Sequence, residues 1–225
     1  MPPPMPFLID ALLTGTIDPG FAPGRGDSAI AKRAVTGPRR VGFMGIEGDA
    51  QADLTVHGGC DKAIHHYPRD HYAGWASLIG DHGLLRQAGA FGENISTSGM
   101  TEESVCLGDR YRMGSALVEV AQGRQPCWKQ AHYLGVPKMV ALMVASGRTG
   151  WYYRVIEEGA VAAGDALVLE DRPCPEWPVA RLFALLIGGK HRGESAALAK
   201  LGEHPLLADE WRKRAKGLAG PARRR

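Results

Sequence analysis

The chain has no C-x-x-C pair: its four cysteines, Cys60, Cys106, Cys127 and Cys174, stand far apart. That argues against a zinc ribbon and against a disulfide-stapled secreted scaffold, and predicts reduced thiols and a cytoplasmic location. No apolar run approaches the roughly 18 residues of a membrane span. The opening MPPPMPFLIDALLTG has no basic segment and is broken by Asp10, so neither an export signal nor a membrane partner is expected. The final fifteen positions contain no acidic residue, yet hold seven of the 27 lysines and arginines. Setting those seven aside leaves 20 basic against 24 acidic side chains over residues 1–210, a net of −4. The formal charge of +3 therefore belongs to the tail, and an acidic body argues against a nucleic-acid partner. If the tail cations meet a partner, an acidic protein surface suits them better than DNA.

A length of 225 residues gives room for one sizeable domain with an appendage. A chain of that size buries roughly 70% of the surface its unfolded form exposes. Glycine is abundant, 30 residues spread along the chain without a low-complexity tract, which predicts many tight turns between short strands. Strand character runs over Phe7–Thr16, Ser28–Val35, Ala63–Tyr67, Glu93–Thr97, Arg110–Met113, Ala116–Gln122, Trp151–Ile156 and Ala166–Glu170. This pattern favours a closed or strongly bent mixed sheet. Helical character is local at Pro68–Ile79, Cys127–Leu134 and Pro137–Ser146, with prolines suited to first turns. After Asp171 the proline-rich RPCPEWP reads as a linker, followed by three helical patterns, VARLFALLIGG, ESAALAKLG and PLLADEWRKRAKGL. The division expected is a β-rich domain over residues 1–173, then a linker and three-helix module over 174–225.

Reactive side chains crowd the segment Gly48–His71, which holds four of the eight histidines. A zinc site there is disfavoured, because His65 and His66 are adjacent on an expected strand and point to opposite faces. His57-Gly58-Gly59, followed by Asp61 and Lys62, has the composition of an anion-binding loop: glycines let main-chain N–H groups approach, while the imidazole and ammonium match charge. The competing reading is a plain Gly-Gly turn with Lys62 in solvent. The frame of a nucleotide-binding P-loop is absent. In Gln122-Gly-Arg124-Gln-Pro-Cys127-Trp-Lys129 a cysteine stands where a strand ends and a helix begins, between two cations. That setting favours the thiolate, the form that binds a soft metal or attacks an electrophile. A buried, inert thiol is the alternative, and suits Cys106 and Cys60 better; Cys174 has no evident role. Phe91-Gly-Glu93-Asn94 opens a strand and supplies an amide and a carboxylate.

In this order, V-H-G-G-C-D-K-A-I with H-Y-P-R-D-H-Y, A-F-G-E-N-I-S-T-S-G-M-T-E, G-D-R-Y-R-M-G and R-Q-P-C-W-K resemble the MOSC family. The family is named for the C-terminal domain of molybdenum cofactor sulfurase. The likeness is strongest to its stand-alone bacterial YiiM-type branch, over Leu8 to Asp171 and more loosely over the helical tail. The chain departs from the family pattern at Gly123, where a proline is common, and carries Cys60 unusually close to the glycine pair.

The resemblance implies a mainly β fold with α, a MOSC-type β-barrel followed by a small three-helix C-terminal module. It implies binding of the molybdenum cofactor, a phosphate-bearing pterin dithiolene, with Cys127 as the essential residue and thiolate ligand of the metal. Arg124 and Lys62 are then expected to hold the cofactor's negative charge, His57, Gly58 and Gly59 to line the same pocket, and Asn94, with Glu93, to orient ligand. The activity implied is reduction of N-hydroxylated bases such as 6-hydroxylaminopurine, with electrons from a separate reductase, a flavoprotein. Sulfur transfer through a Cys127 persulfide, a non-catalytic cofactor carrier and a purely structural module stand as alternatives.

Overall fold

The computed structural model describes residues 6–52 and 58–220. In chain order its strands are β1 (Phe7–Thr14), β2 (Asp18–Ala22), β3 (Gly26–Ser28), β4 (Arg33–Ala34), β5 (Arg39–Gly42), β6 (Gly45–Ile46), β7 (Ile64–Pro68), β8 (Ile95–Thr97), β9 (Arg110–Met113), β10 (Ala116–Gly123), β11 (Trp151–Glu157), β12 (Gly159–Val161) and β13 (Ala166–Asp171). The helices are α1 (His71–Ile79), α2 (Trp128–Tyr133), α3 (Met139–Ser146), α4 (Val179–Leu186), α5 (Ser195–Gly202) and α6 (Asp209–Ala219).

Seven strands close a barrel in the order β13-β9-β10-β11-β7-β8-β1, with β1 returning to β13 through Phe7 opposite Leu167. Closure removes the unpaired edges an open sheet would present. Neighbours are antiparallel except β7 and β8, whose crossover carries α1, as a parallel pair requires. Strand alternation sets the two faces. In β11 Trp151, Tyr153 and Val155 are buried in the barrel core, while Tyr152, Arg154 and Ile156 alternate with them on the outside. The adjacent histidines obey the same rule: His66 lies inside, against Trp151 and Tyr153, and His65 faces the other way, beside Tyr152.

One expected strand is absent. Ser28–Val35 is not continuous: β3 ends at Ser28 and only Arg33–Ala34 pair again, with β1. The Ser28 hydroxyl accepts the Ile30 N–H (3.2 Å) and Ile30 O accepts the Lys32 N–H (2.8 Å). These local bonds compete with a ladder and turn the chain. The segment thereby becomes a wall over the outer face of β7.

Two further apolar clusters flank the barrel. Tyr67, Trp75, Phe91, Leu134, Met139 and Met143 bury α1 to α3 against one side. Leu182, Phe183, Leu198, Leu201 and Trp211 join α4 to α6 on another. The proline-rich stretch before α4 is packed rather than loose: Cys174 and Trp177 are buried, and Trp177 O and Val105 O hold the N–H groups of Leu107 and Val179. The resulting structure is the expected β-barrel with helices.

Candidate functional site

The link from β10 to α2 is the floor of the site. β10 is buried along its whole length, ends at Gly123, and releases Gly123-Arg124-Gln-Pro before α2 begins at Trp128, with Cys127 as the capping residue in extended conformation. Gly123 lies against the tail: a β-carbon there would sit 2.9 Å from the Trp211 ring and 3.3 Å from Val179. Having no side chain to clash, Gly123 lets α6 dock beside the site.

Beyond that floor a cavity opens between the outer faces of β7 and β11, the Ser28–Lys32 wall and residues 50–52. Among its described lining residues are four cations, Lys32, Lys62, Arg124 and Lys129, and no carboxylate. Cys127, His65, Tyr152 and Asn94 face the same space. Cys127 is partly exposed and not in a disulfide.

Arg124 has the least ordinary surroundings. It is 5% exposed; its N–H donates to Gly150 O (3.0 Å) and its guanidinium to Gln130 Oε1 (3.0 Å), with Met143 Sδ at 3.9 Å. Among the described residues no carboxylate pairs with it. A guanidinium taken out of water without a counter-ion is costly to the fold, and an anion in the cavity relieves that cost. Gly150 is held from behind: Glu102 Oε1 accepts the N–H groups of Thr149 (2.8 Å) and Gly150 (2.6 Å), and Glu102 Oε2 meets His71 Nε2 at 2.7 Å. Gly150 itself, at φ 74°, approaches His66 O so closely that a β-carbon would lie 2.2 Å away.

Two of the other cations, Lys32 and Lys62, pair with carboxylates. Lys32 Nζ is 2.5 Å from Asp49 Oδ2, both side chains nearly sealed from solvent. Burial lowers the lysine's pKa, with Asp49 pulling the other way. Lys62 closes a one-turn helix, Cys60–Lys62, its N–H on Gly59 O (3.0 Å). Asp61 is pinned to Arg154 Nε (2.9 Å), which leaves Lys62 at the rim, 2.6 Å from Glu210 of α6. Burial first, and then the Arg124 charge, hold the His65 pKa well below the usual imidazole value, so the ring is neutral. Burial raises the Tyr152 pKa, against the pull of Arg124, so the phenol keeps its proton.

Of the expected site residues, Cys127, Arg124, Lys62 and Asn94 line one cavity. Asn94 has both polar atoms engaged: its Oδ1 accepts the His65 N–H (3.0 Å) and its Nδ2 donates to Leu13 O (3.2 Å). It braces β7 against β1 at the cavity wall. Gly58 and Gly59 stand beside Lys62 but are not among the described lining residues, and His57 lies outside the described residues. Glu93 is sealed away, accepting bonds from Tyr72 and from the N–H groups of Gly89 and Phe91. Lys32, His65 and Tyr152 are additions that linear spacing missed. The signal was in the pairing, since Tyr152 stands opposite both His65 and Gln122 in register. Among the described residues no cluster of three His, Cys, Asp or Glu side chains suits a metal ion.

A model of the MOSC domain matches residues 53–168. Protein YiiM of Escherichia coli is 46% identical over 145 residues, 64% of this chain and 65% of that protein. A Gibberella moniliformis protein named a reductase is 36% identical over 179 residues, 79% of this chain but 32% of its own length. The chain thus spans just under two thirds of the first relative and about a third of the second. In three dimensions the crystal structure of YiiM from Geobacillus stearothermophilus superposes with a TM-score of 0.79 at 32% identity, covering 95% of this chain and 100% of that one. Among the described residues no helix is long and apolar enough to cross a membrane.

Proposed function

The chain belongs to the MOSC domain family, and from that premise we propose that it is a molybdenum cofactor-dependent reductase of N-hydroxylated substrates. The observation that carries the proposal is Arg124, a buried guanidinium without a carboxylate partner among the described residues, facing the same cavity as Cys127. A phosphate-bearing ligand with a thiolate-seeking metal satisfies both groups at once.

The donor set fits this cofactor. Arg124 and Lys129, with Lys62 at the rim, hold its negative charge, and Cys127 supplies the sulfur ligand. The bound cofactor supplies the two-electron chemistry that removes oxygen from an N–O bond, R–NHOH + 2e⁻ + 2H⁺ giving R–NH₂ + H₂O. Neutral His65 and protonated Tyr152 present hydrogen-bonding groups to the cavity without adding charge. The Ser28–Lys32 wall covers the pocket from one side and limits water. Electrons come from a separate reductase, a flavoprotein. The fungal relative named a reductase supports the reaction class, and two thirds of its length lies outside the matched region.

The test is metal and pterin analysis of protein made in a host that synthesises the cofactor, for wild type and Cys127→Ala, followed by 6-hydroxylaminopurine reduction with a flavoprotein donor. Molybdenum and pterin are expected in wild type and molybdenum is expected to fall about tenfold or more in the variant. Equal molybdenum in both overturns the ligand assignment, and a labile sulfur on Cys127 without molybdenum replaces reduction by sulfur transfer.

A further inference from the structure

The cations of the pocket differ in what holds them. Lys32 is neutralised from behind by Asp49, whose side chain is only 4% exposed. Among the described residues, Arg124 has only uncharged partners. Lys62, at the rim, is bonded to a carboxylate from the far end of the chain: its side chain is 12% exposed, and that of Glu210, 2.6 Å away, is 57% exposed. Glu210 is carried on the first turn of a helix that is itself fixed. Trp211, the next residue, is buried against Gly123, and the Ala208 N–H bonds Ala121 O at 3.1 Å. The helix cannot drift from the mouth, while the exposed carboxylate can turn into water at little cost, as surface ion pairs do.

We propose that Glu210 is a specificity-determining residue of the pocket: its carboxylate occupies Lys62 until an incoming anion displaces it. The consequence follows from Coulomb's law. Exchanging one singly charged oxyanion for another at Lys62 gains nothing, and Glu210 has the advantage of being tethered. A phosphate group, whose second ionisation lies near pH 6, brings close to two charges at neutral pH and wins the exchange. Glu210 therefore selects for phosphate-bearing ligands against the monovalent anions that outnumber them. This inference rests on the anion-pocket reading of the site and adds a residue from the helical tail to it.

The experiment measures alkylation of Cys127 by iodoacetamide in the full-length protein, quantified on its own peptide so that the exposed Cys60 does not interfere. Rising inorganic phosphate, or formate as the monovalent probe, is added at constant ionic strength. In wild type, phosphate slows the reaction and formate does not. In Glu210→Gln the half-protecting phosphate concentration falls about threefold or more and formate begins to protect. Glu203→Gln, which frees Lys216 in the same module (3.0 Å), leaves both unchanged, and adding Lys62→Met to Glu210→Gln cancels the gain. Phosphate protection in wild type that Glu210→Gln does not improve overturns the role of Glu210 alone. An equal gain in Glu203→Gln reduces it to net charge and overturns it too. No protection in any protein overturns the anion pocket together with this inference.

Discussion

Arg124 sets function against stability at a single side chain. Its guanidinium is desolvated beside Gln130 and Met143 with no counter-ion among the described residues, a state that apolar replacements of similar length commonly improve. Arg124→Met is therefore expected to melt at the same temperature as the wild type or higher, while retaining about tenfold less cofactor. Calorimetry on the cofactor-free protein and metal analysis on the loaded one measure the two effects separately. A fall of the melting temperature by many degrees would make the guanidinium a structural strut and remove the argument built on it. At this scale the sequence was legible where chemistry is contiguous: Arg124, Cys127 and Lys129 share eight positions with a strand end and a helix start. It was not legible for Lys32 or Tyr152, which reach the cavity only because a wall folds over β7 and because β11 pairs with it. Glu93 shows the converse, a carboxylate in a promising motif that the fold spends on the N–H groups of its own turn.

Among the elements, β10 and α6 meet at Gly123, and the tightness of that meeting is measurable. A methyl group there overlaps the Trp211 ring at 2.9 Å and also crowds Val179 at 3.3 Å. Overpacking of this kind costs about 1–3 kcal/mol, and the strain falls on the contact between barrel and tail. Gly123→Ala is expected to lower the urea midpoint and to speed amide exchange across α6 before that of the barrel strands. Unchanged exchange in α6 would mean that the ring yields freely. The strands and helices themselves were read well wherever hydrophobic period and punctuation agreed, as in β9, β10 and β13 and in all three tail helices. Ser28–Val35 failed because one bond to a hydroxyl and one main-chain bond outcompete a ladder over a few residues, something hydropathy does not register. The packing of Cys174 and Trp177 was hidden for a related reason: proline-rich composition reports backbone stiffness and is silent on whether the segment finds a surface to lie on.

Across the whole molecule, closure of the barrel has a price that appears in acid. His66 is sealed inside, Nδ1 against Tyr153 Oη at 3.0 Å and Nε2 against Thr97 Oγ1 at 2.9 Å. Burial lowers its pKa to about 3 from the ordinary 6.5. The unfolded chain binds a proton on this imidazole as pH falls through about 6.5, whereas the folded chain does so only near 3. Between those values the unfolded state holds more protons, so stability is full above about pH 6.5 and declines as pH drops towards 3. His65, neutral at the pocket, pulls in the same direction, so two adjacent residues on β7 act on the barrel together. His66→Gln keeps an amide able to bridge the tyrosine and threonine but cannot take the proton. Urea midpoints between pH 7 and pH 4 are expected to fall less steeply for this variant than for the wild type, even if its midpoint at pH 7 is lower. Parallel curves for the two proteins would mean that His66 charges inside the folded barrel and that the acid sensitivity arises elsewhere.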